Sequence, residues 1–165
     1  MDGRSETGPA PLGNFGPVTI TTPGESQIVV TRLFDAPREL VFEAWTKTKH
    51  VARWWDPSGI PLAVCEIDLR PGGAFRWVNR SPDGGEGYAF GGTYREISPP
   101  ARLVFGSGPG QFATLIFTEE GNKTKLTMTI QCASSQEREA MLQMRVDAGT
   151  AKTLENLAAY LPTIA

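Results

Sequence analysis

The chain has 165 residues, which fits one domain of common size able to bury one substantial core. Sixteen basic against eighteen acidic side chains leave a formal charge of −2, with no block of like charge, so nucleic acid is excluded as a partner and steering of acidic substrates has no basis. No run approaches the length needed to span a bilayer, and the N-terminal stretch lacks the apolar core of a signal peptide, so a cytoplasmic protein is expected. Cys65 and Cys132 each lie in a strand-like run without a CxxC neighbour, which predicts packed, reduced thiols rather than a bridge or a zinc site.

In chain order, residues 1–24 are rich in Gly, Pro, Ser and Thr and hold few large apolar side chains to repay the entropy of ordering, so a flexible lead-in is expected there. Residues 25–165 then form one domain. The β-branched, alternating run Gln27 to Phe34 predicts the first strand. Asp35-Ala-Pro37 switches the period, with Asp35 available as a helix cap and Pro37 tolerated in the first turn. Leu40, Val41, Ala44 and Trp45 cluster on one face of the helix that follows. A second short helix from Thr48 carries Val51, Ala52, Trp54 and Trp55 before Pro57 and Gly59 end it.

Strand-like runs separated by turn signals come next: Leu62 to Leu69, Ala74 to Asn79, Tyr88 to Ile97, Arg102 to Phe105, Gln111 to Glu119 and Lys123 to Cys132. Every connection among them is hairpin-sized, so antiparallel neighbours are the natural pairing. The last segment, Ser134 to Leu161, predicts one long amphipathic helix of about 42 Å. Met141, Met144, Ala148, Ala151, Leu154, Leu157 or Ala158, and Leu161 recur on one face of it. Ser134 with Glu137 forms a capping-box pattern at its start, and Pro162 stops its end.

A sheet with one apolar face needs a cover, and this terminal helix is the only adequate one. A bent sheet wrapped around it encloses a space that is either solid core or a cavity. Gly91-Gly92 within a strand is where a sharp bend or close approach is expected. Gly149 and its small neighbours leave room on the helix, and Met141 and Met144 are adaptable side chains common on surfaces that take varied apolar partners.

The runs TRLFDAPRELVFEAWT, RWWDPSG, CEIDLRPGGAF and GGTYREISPPARLVF, with AGTAKTLENLAAYL in the terminal helix, resemble the bacterial branch of the Hsp90 ATPase activator homologue family, within the START and Bet v 1-like helix-grip superfamily. The resemblance covers Gln27 to Leu161. It implies an α+β helix-grip fold, in which about seven antiparallel strands curve around a long C-terminal helix and two short helices follow the first strand. It also implies a deep hydrophobic cavity between sheet and helix, and partners of two kinds: a hydrophobic or aromatic small molecule, and, from the family's eukaryotic members, a chaperone. Many relatives carry a tryptophan after the helix glycine, where this chain has Thr150.

Strand periodicity supplies the candidate ligand-binding residues. Phe75 and Trp77 share a face, as do Tyr88, Phe90 and Tyr94, the set Phe112, Thr114 and Ile116, and the set Leu126, Met128 and Ile130. If these faces turn toward the helix, they line a pocket together with Trp54 or Trp55, Met141, Met144, Ala148 and Ala151, with Tyr94 and Thr114 as its polar points. Trp54 and Trp55 point about 100° apart on a helix, so one of them packs inward. Glu66 and Asp68 share a strand face and, with Tyr94 or a cavity-bound water, are the groups a cyclase- or hydrolase-like alternative would use; charges on a solvated face are the other reading of the carboxylates. His50, the only histidine, reads as a surface residue. No catalytic, metal or cofactor motif is found.

Overall fold

The computed structural model describes residues 12, 13 and 15–165. Eight strands make one wholly antiparallel sheet: β1 (Thr19–Thr21), β2 (Gln27–Phe34), β3 (Val64–Ile67), β4 (Ala74–Arg80), β5 (Glu86–Ser98), β6 (Arg102–Gly108), β7 (Gln111–Glu120) and β8 (Lys123–Gln131). Their order across the sheet is β1-β2-β8-β7-β6-β5-β4-β3. The hairpins expected from the turn residues account for every neighbour from β3 to β8, and β2 closes against β8. Two short helices, α1 (Arg38–Thr46) and α2 (Thr48–Trp54), sit between β2 and β3, and α3 (Ser135–Gln143) and α4 (Val146–Tyr160) follow β8.

The sheet gains a strand over the expected seven because part of the supposed lead-in is ordered. Ile20 pairs with Val30 and is fully buried, Val18 is buried beside it, and Leu12 N–H donates to the Ile20 carbonyl at 2.6 Å. These few apolar side chains suffice because β2 offers a free edge to pair with. Residues 1–11 and Asn14 of that stretch lie outside the described residues.

The terminal helix is not continuous. It breaks after α3 at Met144 and Arg145, where Arg145 takes a left-handed conformation with φ 61° and ψ 41°. The break is supported locally: Asp147 Oδ1 accepts from Arg145 Nε at 3.1 Å and from its neighbour's amide, Ala148 N–H, at 2.8 Å. Amphipathic spacing runs unbroken across such a joint, so periodicity does not reveal it. The expected cap is present, with Ser134 Oγ accepting from Glu137 N–H at 3.0 Å, while the return bond of Glu137 Oε1 reaches one residue further back, to Ala133 N–H at 2.6 Å. Asp35 is not the cap of α1: the cap position is Pro37, two residues later, with no side-chain cap bond.

α4 spans the concave face of the sheet, burying Thr153, Leu154 and Leu157, with Leu161 buried in the 3₁₀ turn Leu161–Thr163 that ends it. Opposite lie Ile28, Val30, Leu115, Leu126 and Met128, which register pairing places on one face. The close approach expected at Gly91-Gly92 is present: a Cβ on Gly92 would overlap the carbonyl of Gly106 on the neighbouring strand. Polar bonds tie the helices together. Thr153 Oγ1 donates to the Trp55 carbonyl at 3.0 Å, and Asn156 Nδ2 donates to the Asp56 carbonyl at 2.9 Å.

His50 is not on the surface. It is 5% exposed, with Nδ1 2.6 Å from Tyr160 Oη and Nε2 3.4 Å from Glu43 Oε2. It therefore joins α1, α2 and the end of α4, and a lone histidine between Lys49 and Val51 carries no sequence signal of such a distant partner.

Candidate functional site

The register of β3 to β6 sets a group of side chains against one another on the concave face. Trp77 lies opposite Phe90 on one side and Cys65 on the other, Phe75 opposite Gly92, and Tyr94 opposite Phe105. From above, α1 supplies Trp45, α2 supplies Trp54, and Trp55 follows at the end of α2. The rings are in mutual contact: Trp55 lies 4.6 Å from Trp77 and stacks on Phe90 at 5.6 Å, Trp45 meets Trp54 at 4.7 Å, and Phe75 meets Trp77 at 5.0 Å and Tyr94 at 5.3 Å. Edge-on and tilted arrangements dominate, as aromatic quadrupoles prefer.

The polar atoms inside this cluster are its most informative feature. Trp54 Nε1 donates to the Ala44 carbonyl at 3.1 Å, so its N–H is spent on holding α2 to α1. Trp45 Nε1, Trp77 Nε1 and Tyr94 Oη are buried and have no hydrogen-bond partner among the described residues. A buried polar group without a partner costs about 1–3 kcal/mol, and over nine in ten buried groups avoid it, so three in one cluster call for a reason. Two of them are donors only, and the third can donate. Burial raises the Tyr94 phenol above its ordinary value and pushes the Cys65 thiol up to about 11, with Glu66 adding to the latter. Both groups are neutral at physiological pH, so the site carries no charge of its own.

Five of the thirteen sequence-derived candidates come together here. Trp55, Phe75, Trp77 and Tyr94 are in the cluster itself, and Trp54 abuts it as a staple between helices. Met128 is buried on the same concave face and Ala151 packs against it from α4, while Met141 is half-buried with Sδ 3.5 Å from Cys132 Sγ. Ala148 is half-buried on α4. Others do not join. Phe112, Thr114 and Ile116 lie on the convex face, because Ala113, Leu115 and Phe117 take the concave one. Phe112 there lies under the Arg95 guanidinium at 4.3 Å, and Ile116 is 37% exposed. In β7 both alternate sets are apolar, so the period is legible and its phase is not. Met144 is 82% exposed because the break in the helix turns it outward.

Trp45, Phe90 and Phe105 belong to the cluster without having been singled out. Trp45 falls on the apolar face of α1 and Phe90 shares a face with Tyr94 in the sequence pattern, so each has a signal there; Phe105 has only its strand. The space between sheet and helix is thus occupied by these rings rather than standing open as a deep cavity. Two surface depressions lie elsewhere. One of about 290 Å³ is lined by Arg32, Lys123 and Leu161, and one of about 360 Å³ by Phe42, Glu43 and Pro99.

Glu66 and Asp68 are both exposed, and Asp68 Oδ2 accepts from Arg70 Nε at 2.9 Å. Among the described residues no group of three His, Cys, Asp or Glu side chains is placed to hold a metal, and no helix is long and apolar enough to cross a membrane.

The sequence pattern of one protein family, described as "Activator of Hsp90 ATPase homolog 1-like protein", matches residues 35–162. The chain belongs to that family. Solved structures carry the same fold as this AHSA1-like domain. A protein from Rhodobacter sphaeroides superposes with a TM-score of 0.80 at 22% identity, covering 90% of this chain and 99% of its own. One from Chromobacterium violaceum gives 0.69 at 27% identity, with 81% and 95% covered, and the AHSA1-like protein from Aeromonas hydrophila gives 0.61 at 25%, with 81% and 94% covered. None of the curated proteins matches the chain significantly. The AHSA1-like architecture is one that commonly binds ligands or protein partners.

Proposed function

We propose that this domain binds a flat, largely apolar small molecule bearing hydrogen-bond acceptors, seated against the aromatic cluster between β4–β6 and the helices. The observation that carries the reading is the set of three unpaired donors, Trp45 Nε1, Trp77 Nε1 and Tyr94 Oη, within a wall of aromatic rings. An apolar pocket with a few convergent polar groups is the usual make-up of a ligand site, and donors without acceptors select for carbonyl or ether oxygens. Entry requires side chains to part, and Trp55 is the ring of the cluster best placed to move. It is half-buried, and its ring rests on the rings of Trp77 and Phe90.

Titration with planar carbonyl compounds such as flavone and 1,4-naphthoquinone, followed through the indole ¹⁵N–H resonances, tests this. Trp45 and Trp77 are expected to move downfield as their N–H groups gain acceptors, while Trp54, already bonded to Ala44, stays. Equal movement of all three, or of none, refutes the reading.

A second reading is a protein–protein role such as chaperone binding, which the family description brings to mind. Tyr88 and Met144 favour it, being large apolar side chains 72% and 82% exposed. Co-purification with Hsp90 that is lost in Tyr88→Ser with Met144→Ser would support it. For the cyclase- or hydrolase-like alternative, Glu66 and Asp68 are exposed, which leaves it Tyr94 or a bound water.

A further inference from the structure

The depression of about 290 Å³ lies at the opposite end of the grip from α3, where β8 begins at Lys123 and the terminal helix ends at Leu161. Its apolar walls are Leu33, Ala158 and Leu161, and its charged ones Arg32, Lys123 and Asp35. Arg32 is the anomaly. It stands on the concave face of β2, paired with Leu126, at a position where its neighbours Ile28, Val30 and Phe34 are buried and apolar. A guanidinium in such a place ordinarily has a carboxylate beside it. Here its Nε is shut off from solvent with no hydrogen-bond partner among the described residues, and its near company is the Phe34 ring at 5.2 Å. Glu155 attracts it only at longer range, its carboxylate being held by Lys152 at 2.8 Å.

We propose that this cleft is a second, separate binding site, for small molecules that carry a carboxylate on a short apolar body. Arg32 receives the carboxylate from below through its planar fork of donors, and Lys123 receives it from the rim as a point charge. Leu33, Ala158 and Leu161 take the apolar part. Asp35 leaves the cleft net positive by one charge, and it disfavours multiply charged anions such as phosphate, so a monoanion is selected. The volume suits a ligand at the small end of the usual range.

The test is a titration of the ¹⁵N-labelled full chain with sodium hexanoate, with 1-hexanol as the neutral analogue and inorganic phosphate as the tail-less anion. Saturable shifts centred on Leu33, Lys123, Leu161 and the Arg32 Nε–H resonance are expected with hexanoate. Arg32→Met weakens that binding by roughly tenfold or more, and Lys123→Met by a few-fold, as befits a charge-assisted pair and a rim charge. Lys123 is exposed, so its variant keeps the reasoning testable if Arg32→Met fails to fold. Hexanol shifting the same residues as strongly, phosphate saturating the cleft where hexanoate does not, or hexanoate binding unchanged in both variants would each overturn the proposal. The Trp45 and Trp77 indole signals stay put in this titration, which keeps its outcome distinct from that of the aromatic site.

Discussion

The unpaired hydroxyl of Tyr94 allows a prediction in which stability and binding move in opposite directions. Tyr94 is 1% exposed, and its oxygen has no partner among the described residues. Burying a hydroxyl without a hydrogen bond costs about 1–3 kcal/mol on the scale of protein mutations. Tyr94→Phe removes that cost and leaves a gap of one atom, whose lost dispersion contacts amount to a few tenths of a kcal/mol. The free domain should therefore gain about 0.5–2 kcal/mol, a rise in Tm of roughly 2–6 °C for a chain of this size. Urea denaturation and scanning calorimetry read the change, and affinity for a carbonyl-bearing ligand of the aromatic cluster should fall by about five- to tenfold. Thr124→Val is the control. Its fully buried hydroxyl donates to the Ala36 carbonyl at 2.7 Å, so the same kind of deletion should cost about 1–2 kcal/mol. If Tyr94→Phe destabilises the domain as Thr124→Val does, the phenol is satisfied in solution and the argument from unpaired donors fails.

Other perturbations address separate features. Cys65 has its thiol pushed from an ordinary value near 9 up to about 11 by burial, so the unfolded chain ionises first. Its contribution to stability is complete below about pH 9 and is lost as pH rises toward 11; Cys65→Ala should flatten a plot of unfolding midpoint against pH across that window. Tyr160→Phe removes the 2.6 Å bond to His50 and should cost about 1–2 kcal/mol in urea unfolding. At the helix break, Arg145→Val places a β-branched residue at φ 61° and should lose about 1–2 kcal/mol by thermal melting, whereas Arg145→Gly should not. Gly92→Ala drives a methyl into the Gly106 carbonyl and should cost about 1–3 kcal/mol by the same measure.

Much of the molecule could be read from local patterns because those patterns depend on near neighbours. Period-2 runs bounded by Pro-Gly, Asp-Gly and Glu-Gly-Asn marked the strands from β3 to β8, and hairpin-length connections left antiparallel order as the simple solution. Ser134 and Glu137 marked a helix start because both partners lie within one turn. β1 escaped notice because three residues hold little signal, and what orders them is an edge of β2 that the lead-in sequence does not contain. The α3–α4 joint escaped for the same kind of reason, since the left-handed turn at Arg145 leaves the apolar spacing intact on both sides.

The amino-acid sequence alone determined the fold class, the family, the order of elements from β2 to β8 and the aromatic endowment of β4, β5 and the short helices. Tertiary structure alone decided which alternate residues of β7 face inward, that His50 meets Tyr160 across more than a hundred residues of chain, and that three aromatic donors are buried together while Arg32 stands in a cleft without a carboxylate at its side. The reason is one of range. Periodicity and capping arise from contacts a few residues apart, whereas burial phase, unpaired donors and clefts exist only once strands and helices distant in the chain have been set against each other.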